Sequence, residues 1–458
     1  MKAIGIDLGT TSICGVLIDA SSGQLLRSVT KLNTAALQEG RPFERLQDSN
    51  IIVTIAQEII AQFCSEESEI GVIGITGQMH GILYIDKDGT AVSPLYTWQD
   101  ESGSQIGDEG TCYVDALAEK TGYALYTGYG NVTYYSHVVK KEVPEAACGI
   151  CTIGDYLAMR LTNTKVPVIH GSNAESLGCY AITEDSFDLA ALAEAGMDKT
   201  FFPQVECGYR LVGRTVLGVG VSCAIGDNQG SFLGSVRDMT HSILINVGTG
   251  SQISAMAKKS VVKAGQRTDI RPCVEDYNLL VGASLCGGRA YAMLEQFLQS
   301  VMELSSRHSA GNLYARMEEA GFLAWKEENH LLVSTKFCGT RQNPNKRGSI
   351  TNIGTSNWKA GPVIVGFLEG IANELLEMYT EMEGKTAGKP AILVGSGNGM
   401  RKNKLLQKIC SDLFRLPIQI PQYDEEAAYG AALYALVCAG EFQTIGQAQK
   451  GITYLPDA

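Results

Sequence analysis

Residues 4–12 read IGIDLGTTS, and residues 244–251 read LINVGTGS. In each, an apolar run reaches a polar residue, Asp7 or Asn246, two positions before a Gly-Thr pair. A second apolar stretch follows each turn, Ile13 to Ile18 in one and Ile253 to Ala257 in the other. Strand, tight turn of glycine and small hydroxyl residues, strand is the pattern of a β-hairpin. The two copies stand about half a chain apart, too far for a solenoid repeat. They predict two related lobes, each opening on a phosphate-sized loop.

The surroundings of both hairpins alternate helical and strand patterns, which predicts α/β lobes. Residues 51–64 (IIVTIAQEIIAQFC) read as a helix feeding a strand at 71–76. In the second half, Leu279 to Ala283 reads as a strand, and Phe367, Leu368, Ile371, Leu375, Leu376 and Tyr379 form one helical face. Ala391 to Val394 reads as a strand leading through glycines into a helix that carries Leu405, Leu406, Ile409 and Leu413. The lobe boundary is placed near Asp238, giving lobes 1–238 and 239–458. No Pro/Ser-rich linker lies there, so the lobes are expected to pack together around a cleft. Residues 101–110 and 339–349 read as surface excursions.

With 458 residues, 45% of them hydrophobic, each lobe has enough apolar material for its own core. A net charge of −12 and a pI near 5.1 argue against a general nucleic-acid or anionic-membrane binder. No apolar run approaches the roughly 18 residues of a membrane span. Asp7 interrupts the opening apolar run, so a strand is expected there and not an export signal. The 13 cysteines are mostly scattered singly, as reduced thiols of a cytoplasmic protein would be. Cys148 and Cys151 form a C-x-x-C without the second pair a zinc site needs, and the six histidines make no metal-ligand motif.

Three stretches suit a nucleotide. In the first loop, Gly9 permits close backbone approach, Thr10 and Thr11 supply hydroxyl donors, and Asp7 at a strand end can hold Mg²⁺ directly or through water. A plain hairpin turn is the alternative, weakened by the repeat at Thr249 and Gly250. The third stretch, Gly395-Ser396-Gly397-Asn398-Gly399, stands at a strand–helix junction but is not a dinucleotide fingerprint. Residues 426–432 (EAAYGAA) read as a small-residue helix, with Ala428, Ala431, Ala432 and Ala435 on one face, supporting the nucleotide loop from behind. Gly384-Lys385-Thr386 looks like the end of a Walker A loop, but the glycine that motif requires is Tyr379.

Acceptor candidates lie in the first half. Gln78, Met79 and His80 follow a strand, and Gln78 and His80 offer directional hydrogen bonds to hydroxyls. Trp98, Gln99 and Asp100 put an aromatic face beside an amide and a carboxylate, as a polyol requires. Asp227 and Asn228 occupy a glycine-flanked turn. Each has a bland alternative: His80 as a buried group with its hydrogen bonds satisfied, Asp227 as a helix N-cap.

Taken in order, IGIDLGTTS (4–12), GITGQMHG (74–81), YTWQD (96–100), AIGDNQG (224–230), LINVGTGSQ (244–252), GFLEGIANEL (366–375), GSGNGMRKN (395–403) and EEAAYGAAL (425–433) resemble the FGGY carbohydrate kinases. Phe337 to Arg341, with Pro344, Arg347 and Gly348, resembles that family's C-lobe loop. Within the family, Trp98-Gln99-Asp100, residues 284–288 and residues 398–403 are most similar to sedoheptulokinases, whereas residues 101–137 carry no motif assignable to sugar chain length.

The resemblance implies a two-lobed actin-like ATPase (ribonuclease H-like) α/β fold, each lobe a mixed sheet with flanking helices and the catalytic cleft between them. It implies ATP on the second lobe, with the adenine near Gly397, Asn398 and Asn403. Thr249 and Gly250 would meet the phosphates from one side, and Thr10 and Thr11 from the other. Asp7 would position Mg²⁺. A ketose would lie against Gln78, Met79, His80, Trp98, Asp100 and Asn228, with Asp227 as general base. Sedoheptulose is the first expected substrate, and xylulose or ribulose the alternative. A nucleotide-switch ATPase and a non-catalytic sugar sensor are the readings from other classes; the absence of a peptide-binding domain after residue 433 and the intact Asp7, Thr249 and Asp227 argue against them. Homodimers are compatible with the family, although no stretch of sequence marks an interface.

Overall fold

The computed structural model describes residues 1–38, 40–108, 110–304, 311–327, 329–340 and 343–456. Arg341 of the C-lobe loop and Glu109 of the first surface excursion lie outside the described residues. The first hairpin forms from Lys2–Leu8 and Ser12–Asp19, with Leu8 opposite Ile13, so that Gly9, Thr10 and Thr11 make the turn. Ile70–Gly77 runs parallel on the other side of Lys2–Leu8. Covered on both faces, the opening strand can be apolar almost throughout instead of alternating.

The chain divides into two compact units. The first comprises Met1–Arg237, Arg271–Tyr277 and Glu425–Ile452, and the second Asp238–Ile270, Asn278–Asp424 and the residues from Thr453. The chain thus changes unit at Arg237/Asp238. Two segments that a simple division into 1–238 and 239–458 gives to the second lobe belong to the first.

The sheet of the first unit runs in the order Leu211–Arg214, Gly220–Ser222, Ile70–Gly77, Lys2–Leu8, Ser12–Asp19, Leu25–Leu32. The helix Ser49–Glu66, N-capped by Asp48, buries Ile52, Ala56, Ile59 and Phe63 against one face. The opposite face takes the helix Glu426–Cys438. The approach is so close that a Cβ on Gly5 would stand 1.8 Å from the Ala428 carbonyl oxygen, and one on Gly74 1.9 Å from that of Ala431. Gly5 and Gly74 are register partners on adjacent strands. The same helix meets Asp227–Ser235 at glycines: a Cβ on Gly234 would lie 1.9 Å from the Glu426 oxygen. The small-residue helix therefore backs the first hairpin and the Asp227 helix. It does not back the Gly395–Gly399 stretch, as the sequence had suggested. A second core in this unit gathers Tyr84, Tyr134, Ile82, Val132 and Leu177.

In the second unit, Ser242–Val247 and Ser251–Lys258 make the echoing hairpin, with Val247 opposite Ser251. Ile392–Ser396 lies parallel beside its first strand, as Ile70–Gly77 does in the first sheet. The sheet order is Thr268–Pro272, Tyr277–Ser284, Ser251–Lys258, Ser242–Val247, Ile392–Ser396, Ile418–Gln419. The long helix Ala360–Met382 and the helix Lys404–Phe414 bury Leu368, Ile371, Leu375, Leu405 and Ile409 in its core. Among the described residues no helix is long and apolar enough to cross a membrane.

Candidate active site

Asp7 sits at the end of the first strand, opposite Cys14 and beside Thr76. Burial, then the charges of Asp227 and Glu425, push its carboxyl up to about 7. Three carboxylates whose fields overlap in a desolvated place favour a proton or a cation. Among the described residues, no group of three metal-ligand side chains closes on one point. Asp7 therefore offers a single carboxylate to a divalent ion, the kind of site Mg²⁺ completes with water and substrate phosphates.

The turn beyond Asp7 is tied to Trp98 and, through Gln47, to Gln78. Trp98, with its indole face half exposed, donates from Nε1 to Thr10 Oγ1 at 3.0 Å. Gln47 Nε2 donates to the Thr10 carbonyl at 2.9 Å, and Gln78 Nε2 donates to Gln47 Oε1 at 2.9 Å. Asn33 holds the Gly9 carbonyl from the other side at 2.9 Å. Thr11 is exposed. His80 has φ +72°, uncommon for a residue with a Cβ, and is held there by its ring Nδ1 against the Ser176 carbonyl at 2.6 Å and by stacking on Tyr129. Asp100 is fully buried; burial raises its pKa, and its Oδ1 accepts from the Ser102 N–H at 3.0 Å. That contact makes it a turn-forming group two residues beyond Trp98. Ser102 and Gly103 are buried too, whereas Glu101, Ser104, Ile106, Asp108 and Gly110 are exposed, so the 101–110 stretch lies largely at the surface around a buried turn.

Asp227 opens the helix Asp227–Ser235 after Gly226, which is itself the N-cap, so the alternative of Asp227 as cap does not hold. Asn228 Nδ2 donates to Asp227 Oδ1 at 2.9 Å, and Arg271 Nη1 donates to Asn228 Oδ1 at 2.7 Å. Burial raises the Asp227 pKa, against the lowering pull of Arg271 and of the Asn228 hydrogen bonds. Met79 is buried beneath this turn, its Sδ 3.9 Å from Arg271 Nη1.

The second unit holds a cavity of about 790 Å³, of a size that takes a nucleoside. Thr249, Asn398 and Asn403 line it together with Gly248, Arg289 and Tyr291. The Gly-Thr-Gly turn is braced from behind: the N–H groups of Gly287 and Arg289 donate to the Thr249 carbonyl, and that of Gly288 donates to the Gly248 carbonyl. The Gly395–Gly399 stretch is not a loop. Strand Ile392–Ser396 passes directly into helix Gly397–Lys402. Gly397 has φ +79°, and a Cβ on it or on Gly399 would run into Val247. Those glycines answer first to strand packing. Asn403 lines the cavity and also caps helix Lys404–Phe414 through the Leu406 N–H at 2.8 Å.

Arg271, Gln47 and Tyr129 were not singled out by the sequence. None lies in a motif, and each meets its partners only through the fold. None of the thirteen cysteines, all among the described residues, forms a disulfide; Cys148 is exposed and Cys151 buried.

Known proteins carry the same pattern. The family model described as the FGGY family of carbohydrate kinases, N-terminal domain, matches residues 2–234, and its C-terminal counterpart matches residues 243–439. Mouse sedoheptulokinase is 28% identical, over 94% of this chain and 97% of its own. Glycerol kinase of Vibrio atlanticus is 25% identical, over 97% and 90%. Among solved structures, xylulose kinase from Lactobacillus acidophilus superposes with a TM-score of 0.83 at 19% identity, covering 99% of this chain and 92% of that one. The last likeness speaks to the fold alone, the two-lobed actin-like one.

Proposed function

Because the chain belongs to the FGGY family of carbohydrate kinases, we propose that it transfers the γ-phosphate of Mg·ATP to the terminal primary hydroxyl of a ketose, foremost sedoheptulose, giving sedoheptulose 7-phosphate. The observation that carries the chemistry is Asp227: a half-buried carboxylate, its Oδ1 fixed by Asn228, at the start of a helix on the acceptor-side unit. The choice of sugar rests on the similarity to sedoheptulokinase along nearly the whole chain and on the Trp98-Gln99-Asp100 stretch.

In this reading Gln78, Met79, His80, Trp98, Asp100 and Asn228 form and brace the ketose pocket. Gln78 and His80 face it as hydrogen-bonding groups, while Met79, Asp100 and Asn228 hold its walls. A carboxylate is a weak base for an alcohol, so Asp227 orients the hydroxyl and takes its proton as the bond to phosphorus forms. Its upward-shifted pKa makes it a stronger acceptor than a surface aspartate. Such a base is worth about 10²–10⁴-fold in rate, and positioning contributes up to roughly 7–11 kcal/mol. Thr249, Gly250, Gly397, Asn398 and Asn403 are the nucleotide side of the reading, and Thr10 and Thr11 the phosphate side of the acceptor unit. Mg²⁺ at Asp7 would neutralise phosphate charge, and the crowding of Asp7 by Asp227 and Glu425 fits a cation there.

The test is ADP release from Mg·ATP with sedoheptulose, D-xylulose, D-ribulose, L-ribulose and no sugar, read as kcat/KM. Preference for sedoheptulose supports the reading. A five-carbon preference keeps the kinase and replaces the sugar. Sugar-independent hydrolysis across the panel sinks the transfer reaction in favour of a nucleotide switch.

A further inference from the structure

Arg271 is 3% exposed, yet it lies in no motif and far along the chain from the residues it touches. It arrives with Arg271–Tyr277, the short segment that leaves the second half of the sequence to join the first unit. Its Nη1 donates to Asn228 Oδ1 at 2.7 Å, and Asn228 Nδ2 in turn donates to Asp227 Oδ1 at 2.9 Å. An amide has one carbonyl and one NH₂. With the carbonyl taken by a cation, the only end Asn228 can turn to a carboxylate is its NH₂. Without Arg271, a flipped amide would set its oxygen against Asp227. The neighbouring Gln229 is fixed as well, its Nε2 donating to the Pro272 carbonyl at 2.8 Å, so the segment carrying Arg271 grips two successive residues of the Asp227 helix.

We propose that Arg271 is a positioning residue for the Asp227 base, acting through the amide of Asn228. The inference rests on the reading of Asp227 as base. It changes the part played by Asn228: both ends of its side chain serve the carboxylate, and it orients the base instead of reading the sugar. A mispositioned base loses transition-state alignment, and an error near 1 Å costs on the order of 10²-fold. The loss therefore falls on kcat, not on binding of either substrate.

The experiment compares Asp227→Asn, Asn228→Ala, Arg271→Met, Arg271→Lys and the Asn228→Ala/Arg271→Met double variant, by steady-state kinetics with the preferred ketose. Arg271→Met is expected to lower kcat by about 10- to 100-fold, with KM for ATP and for ketose within about twofold. Arg271→Lys, which keeps a donor and a charge, is expected to recover part of that loss, and it carries the test if the methionine variant does not fold. The double variant is expected to be no slower than the worse single one, since both break one chain of contacts. Additive losses, or a loss lying wholly in the ketose KM, would overturn the relay. So would wild-type kcat in Arg271→Met or, should that not fold, in Arg271→Lys. Asp227→Asn separates the two readings. If it is inactive while the arginine variants are unimpaired, only the relay fails; if it turns over normally, the base assignment fails and the relay with it.

Discussion

The indole of Trp98 donates to the hydroxyl of Thr10 at 3.0 Å, joining a distant aromatic to the turn that follows Asp7. The contact spans 88 positions of sequence, and under the proposed function it means that the aromatic assigned to the sugar also holds the hydroxyl assigned to phosphate.

Trp98→Phe keeps an aromatic face and removes only the donor. A net hydrogen bond is worth about 0.5–1.5 kcal/mol, so kcat/KM for the ketose is expected to fall roughly 2- to 12-fold. Thr10→Val removes the other partner and is expected to cost a similar amount. If the bond is the shared cause, the double variant costs less than the product of the two single losses. Steady-state kinetics on the three variants checks this, and strictly multiplicative losses would show that the two residues act separately.

Gly74 faces the helix Glu426–Cys438 with no room for a methyl group: its Cβ would stand 1.9 Å from a backbone oxygen, which cannot swing aside as a side-chain tip can. Gly74→Ala is expected to destabilise the first unit by about 1–3 kcal/mol or more. Gly446, in a short helix with nothing within 4 Å of its would-be Cβ, is the control. Gly446→Ala is expected to be neutral or slightly stabilising. Urea unfolding of both variants gives the comparison.

The same helix shows what was legible in the sequence. Both hairpins, the helix Ser49–Glu66 and the long helix Ala360–Met382 could be read because period and turn chemistry are local signals. The alanines at 428, 431, 432 and 435 announced a close neighbour but not which one, since Gly5 and Gly74 lie hundreds of positions away. The glycines at 395–399 misled for a related reason. Glycine is a poor helix former, so they read as a loop, whereas Val247 stands where side chains on Gly397 and Gly399 would be, so that the helix begins on glycines. Arg271 was illegible because an arginine before a proline has no meaning until the fold brings Asn228 beside it.

Asp155 offers a pH test away from the candidate site. It sits in the capping box of Ile153–Thr162, and its Oδ2 accepts from the backbone N–H and the hydroxyl of Thr152 at 3.1 and 2.7 Å. Burial nevertheless dominates and pushes its carboxyl up to about 7. Between pH 4 and 7 the folded state thus keeps a proton that the unfolded chain has released, so stability falls as pH rises through that window. The deficit is complete above about pH 7 and on the order of 2–4 kcal/mol. Asp155→Asn cannot ionise. Its stability relative to wild type is expected to improve steadily from pH 5 to pH 8 in urea titrations. A pH-independent difference would mean that the carboxyl titrates normally.

Asp7 carries the same sign with a functional cost attached. Burial and the charges of Asp227 and Glu425 raise its pKa to about 7, so above that pH the metal-free protein holds an ionised carboxylate at a disadvantage. Asp7→Asn removes the charge and keeps the shape. Without Mg²⁺, in EDTA, the variant is expected to melt a few degrees above wild type at pH 8, with a smaller gap at pH 5, where wild-type Asp7 is largely protonated in the folded state. The same substitution takes away the carboxylate that the proposed function gives to Mg²⁺, so turnover with Mg·ATP is expected to drop by at least 10²-fold, on the scale of losing one preorganised electrostatic group. Gain of stability with loss of activity is the signature of a charge retained for function. A variant that melts lower than wild type at pH 8 in EDTA would instead show that Asp7 is held by contacts strong enough to outweigh its repulsion, and that the three carboxylates do not crowd one another.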